Sequence, residues 1–185
     1  MPGLRFPKTY ADCVARLRVP SGFLIVAAFV YFSAPDARTL AIGLPVSALG
    51  LLVRAWAAGH LAKNERLATS GPYAYVRNPL YIGTLLVACG LVIAAQKLPL
   101  ALLFGLVFVF VYLPAIQLEE QHLRAIFPEY EAYAARVPAL MPARPPEGME
   151  RGKRFRFELY RRNQEYQAML GFVAGALVLL WKVEF

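Results

Sequence analysis

Two short groups of polar residues stand at the edges of apolar runs, and both have the chemistry to hold a charged ligand. The first is Arg77-Asn78-Pro79, just before an apolar run that starts at Tyr81. Asn is a good helix N-cap and Pro suits the first helical position, so this group predicts a helix start. The free N–H groups of such a start attract anions, and Arg77 adds a fixed charge with forked donors.

The second group is the adjacent pair Glu119-Glu120, which follows Pro114 by about one helical turn. Pro114 should kink or loosen the apolar run in which it lies. Carboxylates at the depth of a membrane usually have a function. One of the two could bind an ammonium group or a pair of ribose hydroxyls, and the other could pair with Arg77 or act as a base. The alternative is an exposed helix start that happens to be acidic.

Aromatic residues accompany the first group. Gly71-Pro72 predicts a tight turn that brings the loop back to the helix start, and Tyr73, Tyr75 and Tyr81 offer rings with polar tips. Together these residues predict a pocket for a ligand with an anionic group and a flat aromatic part. The alternative is an interface belt, in which Tyr and Arg anchor membrane spans.

The elements that position these groups are strongly apolar. The chain has 185 residues, of which 58% are hydrophobic and 17% charged, too apolar for an ordinary soluble domain. A membrane-spanning helix needs roughly 17–25 mostly apolar residues. We therefore predict an all-α, polytopic membrane bundle of about five transmembrane helices with cytoplasmic helical segments; the alternative is a soluble protein with buried helices. The five apolar runs are Val19–Ala34, Thr39–Ala58, Tyr81–Ala95, Pro99–Leu118 and Leu170–Phe185.

The basic residues are distributed unevenly between the segments that connect these runs. Sixteen of the 20 Lys and Arg residues precede the first run or lie in segments 59–78 and 117–169, whereas Arg54 lies inside the second run. The positive-inside rule puts these segments and the N-terminus in the cytoplasm and the C-terminus outside. We predict an integral protein of the inner cell membrane. The net charge of +8 therefore indicates a protein that lies in a lipid bilayer, and not one that binds nucleic acid. The basic cluster at 151–162 is either a contact for anionic lipid headgroups or a solvated tether.

Metal and disulfide chemistry are not expected. Cys13 and Cys89 sit in different environments, which predicts neither a disulfide nor a metal site. His60 and His122 are the two histidines of the chain, too few for a His-based metal cluster.

The chain divides into three predicted segments of a single membrane domain. Residues 1–58 form a helical hairpin, residues 59–142 a core with the polar groups, and residues 143–185 a linker, an amphipathic interfacial segment and the last span. In the core, "LEEQHLRAIF" reads as a helix leaving the membrane and "PEYEAYAARV" as a second helix that starts at Pro128. In the last span, Gly171 and Gly175 are spaced as in closely packed helices.

The order of these motifs resembles a known family. The stretch "GHLAKNERLATSGPYAYVRNPLYIG", followed by "LEEQHLRAIFPEYEAYAARVPALMP", is similar to the isoprenylcysteine carboxyl methyltransferase and phospholipid methyltransferase group of integral membrane enzymes. The resemblance covers about residues 59–142. It implies an S-adenosylmethionine-dependent methyl transfer onto a lipid-embedded or hydrophobic acceptor, with the cofactor bound at the cytoplasmic face.

The resemblance also implies which residues form the site. The family's Arg-His-Pro-x-Tyr motif and acidic pair fall on positions of this chain, and a Gly-His and a Gly-x-Tyr turn match the preceding loop. Arg77 and Glu120 are the implied catalytic residues. The implied cofactor-binding residues are His60, Gly71, Tyr73, Arg77, Asn78, Pro79, Tyr81, Glu119 and Glu120.

Two departures from the family pattern bear on the chemistry. Asn78 stands where the family has His, and an amide cannot titrate near neutral pH, so proton transfer at this position is excluded. The residues before Glu119 are "PAIQL", without the basic residues of the prenylcysteine enzymes. A carboxylate acceptor would want a nearby cation, so the acceptor stays open between prenylcysteine-like and phospholipid-like lipids.

Two other functions fit parts of the pattern. Membrane sterol reductases share a similar Arg-His-Pro-x-Tyr stretch and use NADPH, but their pattern continues differently after the Pro, and the Glu119-Glu120 pair favours a methyltransferase. A non-catalytic lipid-binding protein with the same fold is the third hypothesis, and the Asn78 exchange is its best support.

Overall fold

The fold is built from helices alone in the part of the chain that the computed structural model describes, residues 6–146 and 154–184. Arg5, Phe185 and the first residues of the predicted basic cluster, 151–153, lie outside it. The all-α prediction is confirmed. The helices are α1 (Lys8–Phe32), α2 (Ala37–Ala58), α3 (Pro79–Ala95), α4 (Leu98–Val107), α5 (Leu113–Ile126), α6 (Tyr130–Arg136), α7 (Phe157–Arg162) and α8 (Tyr166–Glu184).

The long helices are those of a membrane protein. Among the described residues, three helices are long and apolar enough to cross a membrane: Ala37–Ala58, the continuous Leu98–Ile126, and Tyr166–Glu184. Helix α3 is apolar but shorter, and α1 has 25 residues. The predicted fold class, a helical membrane bundle, is confirmed. The number of five membrane spans stays a prediction.

Helices α2 and α3 pack with their backbones almost in contact. A Cβ atom on Gly43 would lie 2.3 Å from the carbonyl oxygen of Gly90, and one on Gly50 would lie 2.6 Å from that of Gly83. Between these crossings the Ser47 hydroxyl donates a hydrogen bond of 2.8 Å to the Val87 carbonyl. Small residues are what permit such an approach between membrane helices. This rigid pair carries the Arg77-Asn78-Pro79 group at its end.

The close packing predicted at Gly171 and Gly175 is wrong. No described heavy atom lies within 4 Å of a Cβ built on either residue, so this face of α8 is open to its surroundings. The spacing of small residues alone did not identify the helices in contact, because small residues occur at such spacings both in α8 and in the α2–α3 pair.

One end of the bundle is closed by apolar packing. Residues of α1, α2, α3, α4 and α8 meet there, and Lys182 near the end of α8 donates a 2.8 Å hydrogen bond to the Ser33 carbonyl just after α1. The core residues are Phe29, Leu40, Ala94, Ala95, Leu100 and Leu179. The predicted polar groups all lie at the opposite end, where the segment before α1 also contacts α5: Phe6 N–H donates to Gln117 Oε1 at 2.9 Å.

The predicted loosening at Pro114 is present as a π-helical segment, Phe108–Tyr112, between α4 and α5. Proline has no N–H to offer the carbonyl one turn earlier, at Phe110. The Tyr10 hydroxyl donates to that carbonyl at 2.9 Å and so satisfies it. This adjustment sets the direction in which α5 leaves the membrane segment with Glu119 and Glu120.

One predicted boundary on this side differs from the structure. Pro128 lies in the turn before α6, which starts at Tyr130, because α5 first closes with a hydrogen bond of 2.9 Å from Phe127 N–H to the Leu123 carbonyl. The segment before the last span contains α7, which ends at Arg162, and Gln164 adopts a positive φ of 54° before α8 begins. Residues 138–146 are irregular.

Candidate active site

Arg77 and Glu120 form a forked ion pair between the start of α3 and the middle of α5. Arg77 Nε donates to Glu120 Oε1 at 3.0 Å, and Nη2 donates to Oε2 at 3.2 Å. The two side chains are only 9% and 16% exposed. The bidentate geometry is the strong form of the Arg–carboxylate pair. We call Arg77, Asn78 and Glu120 the latch. Of the two roles open for the second glutamate, pairing with Arg77 is the one observed.

The rest of the Arg77 side chain is turned toward the end of α6. Nη1 donates to the Ala134 carbonyl at 2.7 Å and to the Val137 carbonyl at 3.2 Å, and the Arg77 backbone N–H donates to the Pro138 carbonyl at 2.9 Å. A cation at a helix C-terminus interacts favourably with the helix dipole. Arg77 therefore joins α3, α5 and α6, and most of its donors are directed at protein acceptors.

Asn78 occupies the N-cap position of α3, but its side chain makes no capping hydrogen bond. The amide Nδ2 instead donates to Glu120 Oε1 at 3.2 Å and to the Ala139 carbonyl at 3.1 Å. A cap would instead need Oδ1 to accept from a backbone N–H of α3, and the side chain is held by its two Nδ2 contacts. The predicted side-chain cap is wrong, whereas Pro79 in the first turn of α3 is confirmed.

A pocket of about 650 Å³ lies beside the latch, between the 61–68 loop, the start of α3 and helix α5. Six of the residues predicted for the site line it: Tyr73, Arg77, Asn78, Pro79, Tyr81 and Glu119. The pocket continues past Leu80 and Thr84 to Ala115 and Leu118, which belong to apolar helices. It thus has a polar mouth under the loop and an apolar side within the bundle.

His60 and Gly71 pack against each other at the two ends of the loop and do not line the pocket. His60 is 5% exposed, and its Nδ1 lies 2.9 Å from the Trp56 carbonyl. Gly71 has a φ of +60°, and a Cβ there would lie 2.6 Å from His60 Cδ2. Only a glycine fits this left-handed position against the imidazole. With Glu120, these are the predicted site residues that do not line the pocket.

Glu119 and Tyr81 form the second polar contact between α3 and α5. The Tyr81 hydroxyl donates to Glu119 Oε2 at 2.9 Å. The Tyr81 ring meets the Tyr112 ring edge-on, with 6.2 Å between centroids. Glu119 is exposed at the pocket, whereas Glu120 points into the latch. The two adjacent carboxylates therefore have different surroundings and different roles.

The structure adds an ion pair to the pocket that the sequence reasoning did not assign. Arg54, in α2, pairs with Glu165, which directly precedes α8, and also donates to the Thr84 hydroxyl of α3. All three residues line the pocket. An ionisable residue inside a membrane run is by default a functional candidate, and this signal was available for Arg54. Glu165 carried no comparable signal.

The segment that carries Glu165 is fastened to the end of α2. Asn163 Nδ2 donates to the Ala58 carbonyl at 3.0 Å and to the Leu61 carbonyl at 2.9 Å. Arg156 N–H donates to the Gly59 carbonyl at 3.0 Å. These bonds join residues 156 and 163 to the end of α2 and the loop that follows it. The last segment of the chain is therefore part of the site.

The tyrosines around the latch are neutral groups. Burial raises the pKa of Tyr73, Tyr130 and Tyr133 well above its usual value of 10.0, because the phenolate would lose its hydration. The Tyr133 hydroxyl donates to the Tyr73 carbonyl at 2.8 Å. The Glu120 carboxylate near the Tyr130 hydroxyl further raises the pKa of that phenol. None of the three can serve as a phenolate base near neutral pH.

Within residues 6–146 and 154–184, no group of three or more His, Cys, Asp and Glu side chains is arranged to hold a metal ion.

Known proteins resemble this chain over part of its length. A family model described as phospholipid methyltransferase matches residues 39–130. The cobalt-zinc-cadmium resistance protein CzcN of Cupriavidus metallidurans is 36% identical over 56% of this chain and 49% of its own. The nickel-cobalt-cadmium resistance protein NccN of Alcaligenes xylosoxydans is 32% identical over 58% of this chain and 51% of its own.

A third relative carries an enzyme name. The protein-S-isoprenylcysteine O-methyltransferase of Schizosaccharomyces pombe is 31% identical over 75% of this chain and 61% of its own. The chain spans about half to three-fifths of the length of these curated relatives. No solved structure matches. Residues 39–130, which contain Arg77 and Glu119-Glu120, match the phospholipid methyltransferase family.

Proposed function

We propose that this protein is an S-adenosylmethionine-dependent methyltransferase that acts on a hydrophobic acceptor at the cytoplasmic face of the inner membrane. The observation that carries the proposal is the pocket of about 650 Å³. It is bounded by the family motif on one side and by apolar membrane helices on the other. One ligand can therefore enter from water and a second from the bilayer.

The residues of the pocket fit the proposed cofactor. Pockets of 300–1,000 Å³ suit ligands of that size. The Glu119 carboxylate, oriented by Tyr81, suits an ammonium group or a ribose diol. Lys63 and Arg66 of the exposed loop line the same pocket and suit the cofactor carboxylate. The tyrosine rings suit the sulfonium through cation–π contact. When bound, S-adenosylmethionine supplies a methyl group activated by a positively charged sulfur.

The role proposed here for Arg77 and Glu120 is positioning. Their mutual pair and the contacts to Ala134 and Val137 occupy most of the groups that a ligand would use. The latch fixes α3 against α5 and so fixes Tyr81 against Glu119. Methyl transfer is an in-line displacement in which most of the catalysis can come from such positioning. The proposed catalytic region is thus 59–142, completed by Arg54 and Glu165.

The names of two relatives refer to resistance to metals, but neither name states a chemical activity. The described residues offer no cluster for a metal ion, whereas the third relative is named as a methyltransferase. The family model and the third relative support the methyltransferase proposal over a reductase or a non-catalytic lipid-binding protein, and both alternatives remain outcomes of the tests.

The proposal is tested by methyl transfer in lipid. Full-length protein in nanodiscs is incubated with tritium-labelled S-adenosylmethionine, phosphatidylethanolamine and N-acetyl-S-farnesylcysteine, and label in the organic phase is counted. We expect label with wild-type protein, at least a tenfold loss in Glu119→Gln, and no loss in the exposed Glu131→Gln. No label in either lipid, or equal loss in both variants, would contradict the proposal.

A further inference from the structure

We propose that residues 154–162 form a surface that binds anionic phospholipid headgroups, and that this contact holds the 61–68 loop over the cofactor pocket. We call residues 154–162 the basic surface. The lipid bound there is not the methyl acceptor, because it acts on the pocket from outside. The effect on cofactor binding rests on the proposed methyltransferase function, whereas the binding of lipid and the fixing of the loop do not.

The basic surface lies at the level where lipid headgroups are expected. Arg156 N–H donates to the carbonyl of Gly59, directly after α2, and α8 begins at Tyr166, four residues after the end of α7. Both α2 and α8 are long and apolar enough to cross a membrane. A segment fixed between the ends of two such helices lies at the membrane–water interface, where Lys and Arg contact anionic lipids.

The protein neutralises the charges of the basic surface only in part. The segment contains four arginines and one glutamate, and all five residues are exposed. Arg156 and Arg162 each pair with an exposed glutamate, whereas no described carboxylate pairs with Arg154 or Arg161. Positive charges this close together repel one another, and phosphate oxygens of headgroups would relieve the repulsion through charge-assisted hydrogen bonds.

Aromatic side chains at the same place favour a lipid surface over a soluble anion. Phe155 is 46% exposed and Phe157 is 63% exposed. In α7, Phe157 and Arg161 are four residues apart and share one face, while the buried Leu159 packs against the protein. An exposed ring beside a cation suits the boundary between acyl chains and headgroups, as in interfacial amphipathic helices.

The basic surface is joined directly to the loop that covers the pocket. Arg162 pairs with Glu65 of the 61–68 loop. Asn163, the next residue, donates to the Leu61 carbonyl at 2.9 Å and itself lines the pocket. A solvated tether, the other alternative for this cluster, is not expected to make such contacts. Whatever fixes α7 therefore also fixes the loop.

The loop contributes Lys63 and Arg66 to the pocket, the two cations suited to the cofactor carboxylate. Binding is tighter when less order has to be gained on association. An anionic bilayer that immobilises α7 should therefore raise the affinity for S-adenosylmethionine, and a neutral bilayer should not.

Lipid selectivity is the first test, and it needs no cofactor. Full-length protein in detergent is mixed with equal amounts of phosphatidylglycerol and phosphatidylcholine, and the lipids that it retains are counted by native mass spectrometry. We expect wild-type protein to retain roughly three times more phosphatidylglycerol than phosphatidylcholine, and Arg154→Gln/Arg161→Gln to lose this preference. The control Arg38→Gln/Lys97→Gln removes the same charge at the opposite end of the bundle and should keep the preference.

Three outcomes of this measurement would overturn the inference. They are equal retention of the two lipids by wild-type protein, an unchanged preference in Arg154→Gln/Arg161→Gln, and an equal loss of preference in the control variant. The last outcome would assign the selectivity to the net charge of the whole protein.

Hydrogen exchange tests the link to the loop, again without cofactor. Exchange of the backbone amides of residues 61–68 is compared in nanodiscs of phosphatidylcholine alone and in nanodiscs that also contain phosphatidylglycerol. We expect exchange to be roughly threefold slower in the anionic nanodiscs, and this difference to disappear in Arg154→Gln/Arg161→Gln. Equal exchange of wild-type protein in the two kinds of nanodisc would overturn the link between the basic surface and the loop.

The failure of the proposed function would look different. Calorimetry in the same nanodiscs should show tighter binding of S-adenosylmethionine when phosphatidylglycerol is present. No binding of S-adenosylmethionine in either kind of nanodisc, with the lipid preference and the protection of the loop retained, would contradict the methyltransferase proposal and still support the basic surface.

Discussion

Arg77 and Glu120 are 43 residues apart in the chain, yet they make two parallel hydrogen bonds of 3.0 and 3.2 Å. This contact joins the first turn of α3 to α5 at the level where Tyr81 meets Glu119. The latch therefore helps to maintain the shape of the pocket.

Breaking the latch should destabilise the protein strongly. Arg77→Lys replaces a planar fork with a single ammonium, which cannot serve both Glu120 oxygens and the α6 carbonyls. We expect a loss of about 1–3 kcal/mol in the free energy of unfolding, because buried oxygens of Glu120 and of the α6 carbonyls lose their hydrogen-bond donors. Chemical unfolding in detergent, followed by circular dichroism, measures it.

The exposed pair Arg124–Glu131 gives the matched control, since these side chains are 42% and 68% exposed. Arg124→Gln should change the stability by less than about 1 kcal/mol. Similar effects of Arg77→Lys and Arg124→Gln would show that the latch is an ordinary surface pair.

Gly71 should not tolerate a side chain. An alanine there would hold a left-handed φ of +60° and place its Cβ 2.6 Å from the His60 ring. We expect Gly71→Ala to cost at least about 1–2 kcal/mol and to weaken cofactor binding through the displaced loop. Gly105→Ala is the control, because a Cβ at that position meets no described atom within 4 Å. Equal unfolding temperatures for the two variants would contradict the role given to Gly71.

Asn78→His should make stability depend on pH. Asn78 donates to both Glu120 and the Ala139 carbonyl, and an imidazole has two N–H donors only when it is protonated. The neighbouring carboxylate raises the pKa of the new histidine in the folded state. The added stability is therefore present below the unfolded pKa of about 6.5 and is lost as the pH rises through the folded pKa.

Unfolding temperatures of Asn78→His and wild type between pH 5.5 and 8.5 measure this effect. The unfolding temperature of Asn78→His relative to that of wild type should fall as the pH rises through the folded pKa. A constant difference would mean that the imidazole does not reach Glu120.

The sequence was sufficient to predict those features of the structure that depend on local patterns of residues. Apolar runs predicted the helices, Asn78-Pro79 predicted the start of α3, and the possible pairing of Arg77 with a glutamate was among the stated alternatives. The pair Arg54–Glu165 was not predictable in this way, because 111 residues separate its members. The α2–α3 contact at Gly43 and Gly90 likewise required knowledge of which helices are neighbours. The Asn78 cap was not predictable as absent because the contact that holds the side chain, from Nδ2 to Glu120, is tertiary.

Topology is a further expectation that labelling can check. The distribution of basic residues predicts that the 59–78 loop faces the cytoplasm. In a variant with Cys13 and Cys89 replaced, a cysteine at the exposed position Glu65 should react with a membrane-impermeant maleimide only after the cells are opened. Labelling in sealed cells would invert the proposed orientation, and with it the side of the cofactor pocket.

The central claim is that the pocket beside the latch binds S-adenosylmethionine, and its most direct test is calorimetry on full-length protein in detergent with S-adenosylmethionine and NADPH titrated in parallel. We predict saturable binding of S-adenosylmethionine at one site, weakened ten- to a hundredfold in Glu119→Gln because a hydrogen bond to a charged group is lost, and no binding of NADPH. Binding of NADPH without S-adenosylmethionine would contradict the account in favour of a reductase, and binding of neither would favour a non-catalytic membrane protein.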